Sequence, residues 1–438
     1  MHAKPFKISL ESDLVFVLVS VAFKASLELG YTAYVSPLFA YAGFAFAPSL
    51  VAYLESWLIF FGLLIVCPRL LKKPSDFFSA YIVFLILTPT LVYFALSGQE
   101  RNMLYYLLAS YLTLELARCS PKLRIPSMRH ATWVLVASLV GLASLVTIWM
   151  ILSGGLSYFN LNILRVYEFR DDASAALNVG IMAYFVSWVA KVVGPALLAL
   201  ALFWGKPLLL IAAIGLQIFW FGITGHKSVL FYPLIPFFVW FFYRKSRALS
   251  LVAIGGLALV VLSLLLYLIL DELFIASLLV RRLFFVPAQL NFAYYDFFTA
   301  NGFLYWANSF ASGFVEYPYD SSPAQVVGDY LGHGAFANNS FFSTGYMHAG
   351  LIGMLIYSAI SGWVLSVVDS LCAIGFEKWL AISFVAGPLV AMLMSADLLT
   401  ALLTHGLAPA LVFLFLARAK IADTRDRLGI PPLQALGD

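Results

Sequence analysis

The stretch ALSLVAIGGLALVVLSLLLYLIL, residues 248–270, decides the fold class, because it contains no charged side chain over its whole length. A helix that crosses the hydrocarbon core of a bilayer needs about 20 mostly apolar residues, so this stretch is long enough to span a membrane. Similar runs recur along a chain of 438 residues that is 63% hydrophobic and 11% charged, with a mean hydropathy of +0.94. A water-soluble protein carries about 25% charged residues. The sequence therefore predicts an all-α polytopic membrane protein.

The apolar runs predict about 12 transmembrane helices, within a range of about 11–14, in a single integral membrane domain that covers residues 1–438. Short polar turns separate one run from the next. The helices are expected at residues 13–29, 50–67, 77–96, 102–118, 131–152, 179–203, 207–224, 229–243, 248–270, 346–367, 379–395 and 398–416.

Lys and Arg are distributed unevenly between alternate connections, and this sets the predicted topology. With the N-terminus inside, most of the 26 basic residues fall on one side of the membrane, as the positive-inside rule requires. Both termini are therefore expected in the cytoplasm, with a cytoplasmic tail at 417–438, and residues 153–178 and 271–344 are expected as periplasmic loops. The net charge of +4 follows from this distribution and does not indicate nucleic-acid binding. The three cysteines lie near predicted cytoplasmic helix ends, so no disulfide is expected.

The longest departure from the apolar pattern is the segment 271–344, which combines charged, amide and aromatic side chains. Arg281 and Arg282 are adjacent and lie close to the predicted outer surface. Because a guanidinium donates paired hydrogen bonds to phosphate oxygens, we interpret them as a binding site for a lipid-linked diphosphate. The alternative is an interfacial anchor, or a pair neutralised by Asp271 and Glu272.

Two shorter outer segments also carry basic residues, although the positive-inside rule disfavours them there. The turn TGHKS, residues 224–228, places Lys227 at a predicted helix N-terminus, where an ammonium and backbone N–H groups can contact an anion. A helix cap formed by Ser228 is the other interpretation. The loop 153–178 carries Arg165 and Arg170. An anionic substrate would explain all three basic clusters.

Aromatic side chains crowd the segment 284–319 of the predicted loop. This loop is expected to contain short amphipathic helices. Such rings commonly form a belt in the headgroup region, and Tyr and Trp faces can also line a sugar cleft. Both interpretations remain open at this point.

The outer segments contain carboxylates and histidines that could act as general acids or bases. No His-x-x-x-His or clustered Cys/His spacing indicates a metal site, and no Gly-x-Ser-x-Gly elbow indicates a serine hydrolase. General-base chemistry without a metal or a covalent nucleophile remains. The candidates are Glu168, Asp171, His226, Glu316, Asp320, Asp329, His333 and His348.

Several predicted spans contain an isolated ionisable residue, which is a functional hypothesis by default inside a membrane. We expect most of them to form structural pairs or to lie at the interface. The sequence shows no inverted repeat and no matched pair of broken helices, which disfavours a secondary transporter. The residues are Lys24, Glu28, Glu55, Glu115, Lys191, Asp369, Asp397 and His405.

Four stretches follow one another in a fixed order relative to the predicted helices. They are FGITGHKSVLFYPL (221–234), RRLFFVPAQLNFAYYDFF (281–298), EYPYDSSPAQVVGDYLG (316–332) and ANNSFFSTGYMHAGLIGMLIYS (337–358). Together they resemble the O-antigen polymerase family, the Wzy-type polymerases of oligosaccharide repeat units. The resemblance covers residues 221–358, and the N-terminal helices match in number and loop placement.

The resemblance implies a glycosyltransferase with a GT-C-like fold in the bacterial inner membrane. Such polymerases act on repeat units carried by undecaprenyl diphosphate at the periplasmic face. They transfer the growing glycan from its lipid carrier to the terminal sugar hydroxyl of an incoming lipid-linked unit. No cofactor is implied, neither a metal nor a nucleotide sugar. The family further implies a chain-length-determining membrane protein as a partner.

Carried onto this chain, the resemblance implies that Arg281 and Arg282 bind the donor diphosphate, assisted by Lys227, Arg165 and Arg170. Neutralising the leaving diphosphate would stabilise the charge that develops on it. This agrees with the independent interpretation of the arginine pair.

The base that deprotonates the acceptor hydroxyl is less sharply indicated. Asp329 lies in a segment that resembles the family's Gly-Glu-Tyr stretch, with Asp in place of Glu. Glu316, His333 and His348 compete with it. The glycan contacts are expected from Tyr319, Asp320, Asn338 and Asn339.

Two other functions remain open. An O-antigen ligase carries a His-Asn pair before a Gly-x-x-Gly helix entry, and here Asn338-Asn339 precedes Gly350 and Gly353. The missing histidine disfavours a ligase, unless His333 or His348 takes its place. A transporter or flippase for lipid-linked sugars would require charged residues along a cavity through the bilayer, whereas the basic clusters are confined to one predicted face.

Overall fold

The structure is a computed structural model that describes residues 9–126, 128–163, 165–332, 334–372 and 376–427. His333 and the last part of the predicted tail, residues 428–438, lie outside the described residues. The regular structure in the described residues is helical, apart from one isolated antiparallel bridge between Leu70 and Ala248. This confirms the all-α fold class.

The α-helices of the described residues are numbered in chain order. They are α1 (Asp13–Gly30), α2 (Ser36–Phe39), α3 (Leu50–Val66), α4 (Pro74–Ile82), α5 (Thr88–Ser97), α6 (Arg101–Arg118), α7 (Ala131–Leu152), α8 (Arg170–Leu177), α9 (Met182–Trp188), α10 (Gly194–Trp204), α11 (Pro207–Thr224), α12 (Lys227–Phe231), α13 (Leu234–Tyr243), α14 (Ser250–Leu270), α15 (Leu273–Ala276), α16 (Val286–Asn301), α17 (Pro323–Tyr330), α18 (Phe341–Leu371), α19 (Lys378–Met394), α20 (Leu398–Leu402) and α21 (Leu407–Arg427). Short π-helical segments join several of them without interrupting the helix: Tyr31–Val35, Val83–Leu87, Val189–Val193 and Ser277–Phe285.

Eight helical segments of the described chain are long and apolar enough to cross a membrane. The sequence-based prediction of a multi-pass membrane protein is therefore confirmed, while the count of about 12 spans and the GT-C-like fold stay predictions. The eight are Asp13–Ala42, Pro74–Ser97, Ala131–Leu152, Met182–Trp204, Pro207–Thr224, Ser250–Leu270, Phe341–Leu371 and Leu398–Arg418, and three shorter apolar helices are Leu50–Val66, Lys227–Tyr243 and Lys378–Met394.

The chain folds into two compact units. The first unit comprises Met1–Ser120, Ser246–Val364 and Leu393–Leu398, and the second comprises Pro121–Lys245, Leu365–Met392 and Leu399–Asp438. Each unit is therefore assembled from segments that are distant in sequence.

Buried ion pairs in the first unit account for several charges within its helices. The Lys24 ammonium contacts the Glu28 carboxylate one turn away and lies 4.0 Å from the ring centroid of Trp57. Arg118 donates to Glu115 at 3.1 Å and to Asp76 at 2.7 Å. Burial of an unpaired charge costs several kcal/mol, so these groups are structural pairs, as the sequence analysis expected.

The first part of the segment 271–344, predicted as a loop that contains short amphipathic helices, is helical from Leu273 to Asn301. α15, the π-helical Ser277–Phe285 and α16 follow one another as helix, and α16 buries both apolar and amide side chains. Gln289 donates to the carbonyl of Ala42 at 2.7 Å, and Asn291 accepts from Asn339 at 3.0 Å. These internal partners replace water, and that is why a polar sequence can pack as a buried helix.

α18 is interrupted at Ala349 and Gly350, which have non-helical backbone angles. The carbonyls freed by the break are satisfied by the preceding loop. Leu304 N–H donates to Met347 O at 3.0 Å, and Tyr305 N–H donates to His348 O at 2.9 Å. A break of this kind inside an apolar helix is stable only where other protein groups satisfy the backbone.

Candidate functional site

Arg281 and Arg282 lie on the π-helical segment Ser277–Phe285, which continues directly into α16. Arg281 Nε donates to Ser277 Oγ at 2.9 Å, and its guanidinium lies 4.3 Å from the ring centroid of Phe39. Arg282 is exposed. Single π-helical turns within α-helices occur frequently at functional sites.

Neither arginine forms an ion pair with a carboxylate in the described part of the chain. Asp271 and Glu272 therefore do not neutralise the pair. Burial, together with the adjacent Arg282 charge, lowers the pKa of the Arg281 guanidinium from its ordinary value of 12.5. Two adjacent cations without a counter-ion form a site that favours a multiply charged anion.

A cluster of three tyrosines, Tyr106, Tyr295 and Tyr346, joins α6, α16 and α18 in the first unit. The ring centroids of Tyr295 and Tyr346 are 5.2 Å apart, and Tyr106 stacks on Tyr346 at 6.2 Å with an interplanar angle of 29°. Asn102 donates to the Tyr295 hydroxyl at 3.4 Å, and the Thr299 and Tyr346 hydroxyls are 2.7 Å apart. Flat rings with amide and hydroxyl groups at their edges are suited to contact sugars.

Asp296 follows Tyr295 on α16 and points to the exposed side of the helix. Partial burial and the nearby Glu100 raise the pKa of its carboxyl above the ordinary value. A raised carboxyl pKa is a property of catalytic acids and bases. Sequence reasoning did not single out Asp296, because the signal depends on Glu100, which is distant in the chain.

His348 is 1% exposed and lies at the break of α18. Its ring stacks on Trp306 with centroids 5.0 Å apart and an interplanar angle of 15°. The backbone N–H of Trp306 donates to His348 Nδ1 at 3.2 Å, and His348 Nε2 lies 3.5 Å from Asp397 Oδ2. Because Nδ1 accepts, the ring proton belongs on Nε2 and faces the carboxylate.

Trp306 also connects His348 to Tyr357, because its indole N–H donates to the Tyr357 hydroxyl at 2.8 Å. His348 Nδ1 thus accepts a hydrogen bond from the protein, Nε2 faces the Asp397 carboxylate, and the ring is buried. The geometry favours a structural role, fixing the loop 303–306 to the broken helix, over the role of general base that the sequence predicted.

The other predicted acids lie on the surface. Glu316 and Asp320 are exposed, and so is Asp329 at the end of α17. Gln325 donates to Asp329 Oδ1 at 2.8 Å, which orients that carboxylate. Ser322 caps the same helix by accepting from Gln325 N–H.

The predicted glycan contacts divide into two groups. Asn338 and Asp320 are exposed, and Tyr319 is half-buried with its ring 5.9 Å from that of Phe297. Asn339 is buried, and its amide donates to Asn291 at 3.0 Å and to Ser343 at 2.7 Å. Asn339 therefore stabilises the fold and is not placed to contact a glycan.

Two predicted anion contacts of the second unit, Arg165 and Arg170, have carboxylate partners. Arg165 pairs with Glu168 at 2.7 Å, and Arg170 pairs with Asp171 at 3.0 Å. Lys227 is the first residue of α12, a helix of only 5 residues, so little helix dipole reinforces its charge. Arg165 and Arg170 therefore differ from Arg281 and Arg282, which have no carboxylate partner among the described residues.

Searches against protein-family models, characterised proteins and solved structures gave no match for this chain.

Proposed function

We propose that the protein is a polymerase of lipid-linked oligosaccharide repeat units in the bacterial inner membrane. The observation that supports this most is the arginine pair, Arg281 and Arg282, which has no carboxylate partner in the described residues. A diphosphate that links a glycan to its lipid carrier is an anion of the required charge and shape for two guanidinium groups.

In the proposed reaction, the bond between the anomeric carbon of the growing glycan and the phosphate oxygen of its carrier breaks. A new bond forms between that carbon and the terminal hydroxyl oxygen of the incoming unit. The hydroxyl proton passes to a carboxylate base, and the lipid diphosphate leaves with the bonding electrons. Arg281 and Arg282 stabilise the negative charge that develops on the leaving group.

The tyrosine cluster would contact the glycan at a distance from the diphosphate. Arg282 and Asp296 lie on one helical segment, and a rise of about 1.5 Å per residue separates their Cα atoms by about 20 Å along its axis. A ligand that reaches both must therefore be extended, as an oligosaccharide of several sugars is. Tyr106, Tyr295 and Tyr346 offer the ring faces for it.

Asp329 is proposed as the base. It is exposed and oriented by Gln325, and it lies in the stretch that resembles the polymerase family. Asp296 has a raised pKa, but its distance of about 20 Å from Arg282 along the helix places it beside the glycan rather than beside the anomeric carbon, where a base must lie. The burial of His348 disfavours it, and it equally disfavours a ligase that would use this histidine.

The test uses the purified full chain in detergent with undecaprenyl-diphosphate-linked repeat units and a chelator. A ladder of glycans that differ by one repeat unit, with release of undecaprenyl diphosphate, is expected. Movement of the lipid-linked unit across reconstituted vesicles without any new glycosidic bond would instead support a transporter.

A further inference from the structure

The second unit contains a partly open cavity of about 380 Å³, which lies within the range of about 300–1,000 Å³ typical of small-molecule sites. Most of its wall is apolar, with Leu177, Val186 and Val229 among the lining side chains. Three nitrogen bases interrupt that wall: Lys191, His226 and His405. The segments that hold them are far apart in sequence, so the fold brings them together.

The backbone around Lys191 is adapted to this position. Lys191 lies in the π-helical segment Val189–Val193, and Gln217 donates to the carbonyl of Ala190 at 3.0 Å and to that of Val229 at 2.9 Å. A Cβ at Gly194 would overlap Gln217 Oε1, so glycine is needed for the close approach. The widened turn is therefore held by a buried side chain that crosses from another helix.

The turn between α20 and α21 brings His405 to the same place. Trp188 Nε1 donates to the carbonyl of Leu403 at 2.7 Å, which fastens this turn to the helix that carries Lys191. His405 Nδ1 then contacts the Lys191 ammonium directly. The hydrogen bonds of Gln217 thus position Lys191, and the hydrogen bond of Trp188 positions His405 beside it.

The pair retains hydrogen-bond donors for a ligand. The Lys191 ammonium donates to Ser187 Oγ at 3.1 Å and to His405 Nδ1, which uses two of its three N–H groups. With Nδ1 accepting, the proton of His405 is on Nε2. No carboxylate in the described residues lies within ion-pair distance of Lys191.

The electrostatic surroundings of the cavity are also positive. Burial, Arg170 and Lys191 together lower the pKa of His226, and only Asp171 acts in the opposite direction. Lys191 is half-buried, and an ammonium without a counter-ion is unfavourable against a mostly apolar wall. A bound anion would remove this cost.

We infer that this cavity binds a phosphate-type anion through Lys191 and His405. The inference concerns the second unit alone and does not depend on the polymerase function or on Arg281 and Arg282. The apolar walls fit the first carbons of a chain that carries the phosphate, and a free diphosphate would satisfy the same donors.

The test measures binding to the full chain in maltoside micelles, which contain no phosphate. The protein carries Arg281→Gln and Arg282→Gln, so that the other proposed anion site is removed. Three probes are compared: farnesyl phosphate, farnesol and inorganic pyrophosphate. Lys191→Met is introduced into this background, with Lys206→Met as the matched control, because Lys206 is an exposed lysine of the same unit.

Farnesyl phosphate is expected to bind, and Lys191→Met should raise its Kd about 10–100-fold, the range for one lost charged hydrogen bond. Lys206→Met should leave the Kd unchanged. Competition by pyrophosphate would indicate a free anion as the natural ligand, and its failure to compete would indicate a lipid-borne phosphate. If Lys191→Met does not fold, His405→Leu tests the same site and should also weaken binding.

Equal binding of farnesol and farnesyl phosphate would overturn the inference, because the cavity would then be an apolar site beside a neutral lysine. An unchanged Kd in both Lys191→Met and His405→Leu would do the same. Neither result would affect the polymerase proposal, which the background variants test separately.

Discussion

His348 Nε2 and Asp397 Oδ2 lie 3.5 Å apart inside the first unit, where one residue occupies the break of α18 and the other the turn between α19 and α20. The two side chains connect a broken helix to a distant part of the chain. His348 is buried and Asp397 is partly buried, which favours a structural pair and distinguishes Asp397 from the exposed carboxylates of the proposed site.

A structural His348 predicts that His348→Ala lowers stability more than catalysis. Loss of the stacked ring and of its hydrogen bond should cost about 2–4 kcal/mol, measured as a lower Tm of the purified protein. Activity per folded molecule at low temperature should fall less than threefold, and His348→Gln, which retains an acceptor, should recover part of the stability. A normal Tm with abolished polymerisation would instead make His348 the base.

The break of α18 predicts that Gly350→Ala is destabilising. Gly350 has φ +60° and ψ −144°, and a Cβ there would lie 2.9 Å from Phe303 Cζ. Backbone strain of this kind costs about 1–3 kcal/mol. The matched control is Gly62→Ala, since Gly62 is helical with no atom within 4 Å of a Cβ, and that change should be neutral or stabilising. Equal effects of the two changes on Tm would contradict the observed break.

The raised pKa of Asp296 predicts a pH-dependent contribution to stability. A carboxyl whose pKa is raised on folding is unfavourable when ionised, so Asp296→Asn should raise the Tm at neutral pH. The difference from the natural protein should shrink as the pH falls through the raised pKa toward the ordinary value of 3.8. Glu100→Gln should reduce the same difference, because it removes a cause of the shift. A difference in Tm that does not vary with pH would show that Asp296 has no raised pKa.

The ion pairs of the second unit predict that Arg165→Gln has little effect on polymerisation. Arg165 is exposed and already bound to Glu168, and such surface pairs contribute about 0–1 kcal/mol. The rate of repeat-unit addition should change less than threefold, and Arg170→Gln should behave in the same way. A tenfold loss in either variant would return that residue to the diphosphate site.

The sequence was sufficient for the fold class, because apolar runs are local features. Adjacent guanidinium groups are also a local feature, and their assignment to a diphosphate stays a prediction. The sequence was not sufficient for the break of α18. The sequence does not distinguish Gly345, Gly350 and Gly353 as possible positions of the break. The position depends on hydrogen bonds from Leu304 and Tyr305 in the preceding loop.

Contacts between distant residues account for the other differences. Asn339 looked like a glycan contact, and its burial against Asn291 follows from the packing of α16 on α18. The sequence identified Lys191 and His405 only as isolated ionisable residues. Their contact requires the π-helical turn at Lys191 and the hydrogen bond that holds the turn containing His405. Local patterns do not encode such geometry.

The most direct test of the central claim is the length distribution of glycans made by Arg281→Gln and Arg282→Gln protein from undecaprenyl-diphosphate-linked repeat units. Each change removes a charged donor worth about 1.5–3 kcal/mol, so each should slow chain extension about 10–100-fold, and the double variant should yield single repeat units. Arg129→Gln, which alters an exposed arginine outside the proposed site, should retain the full ladder. A double variant that extends chains at the natural rate would contradict the assignment of Arg281 and Arg282 to the donor diphosphate.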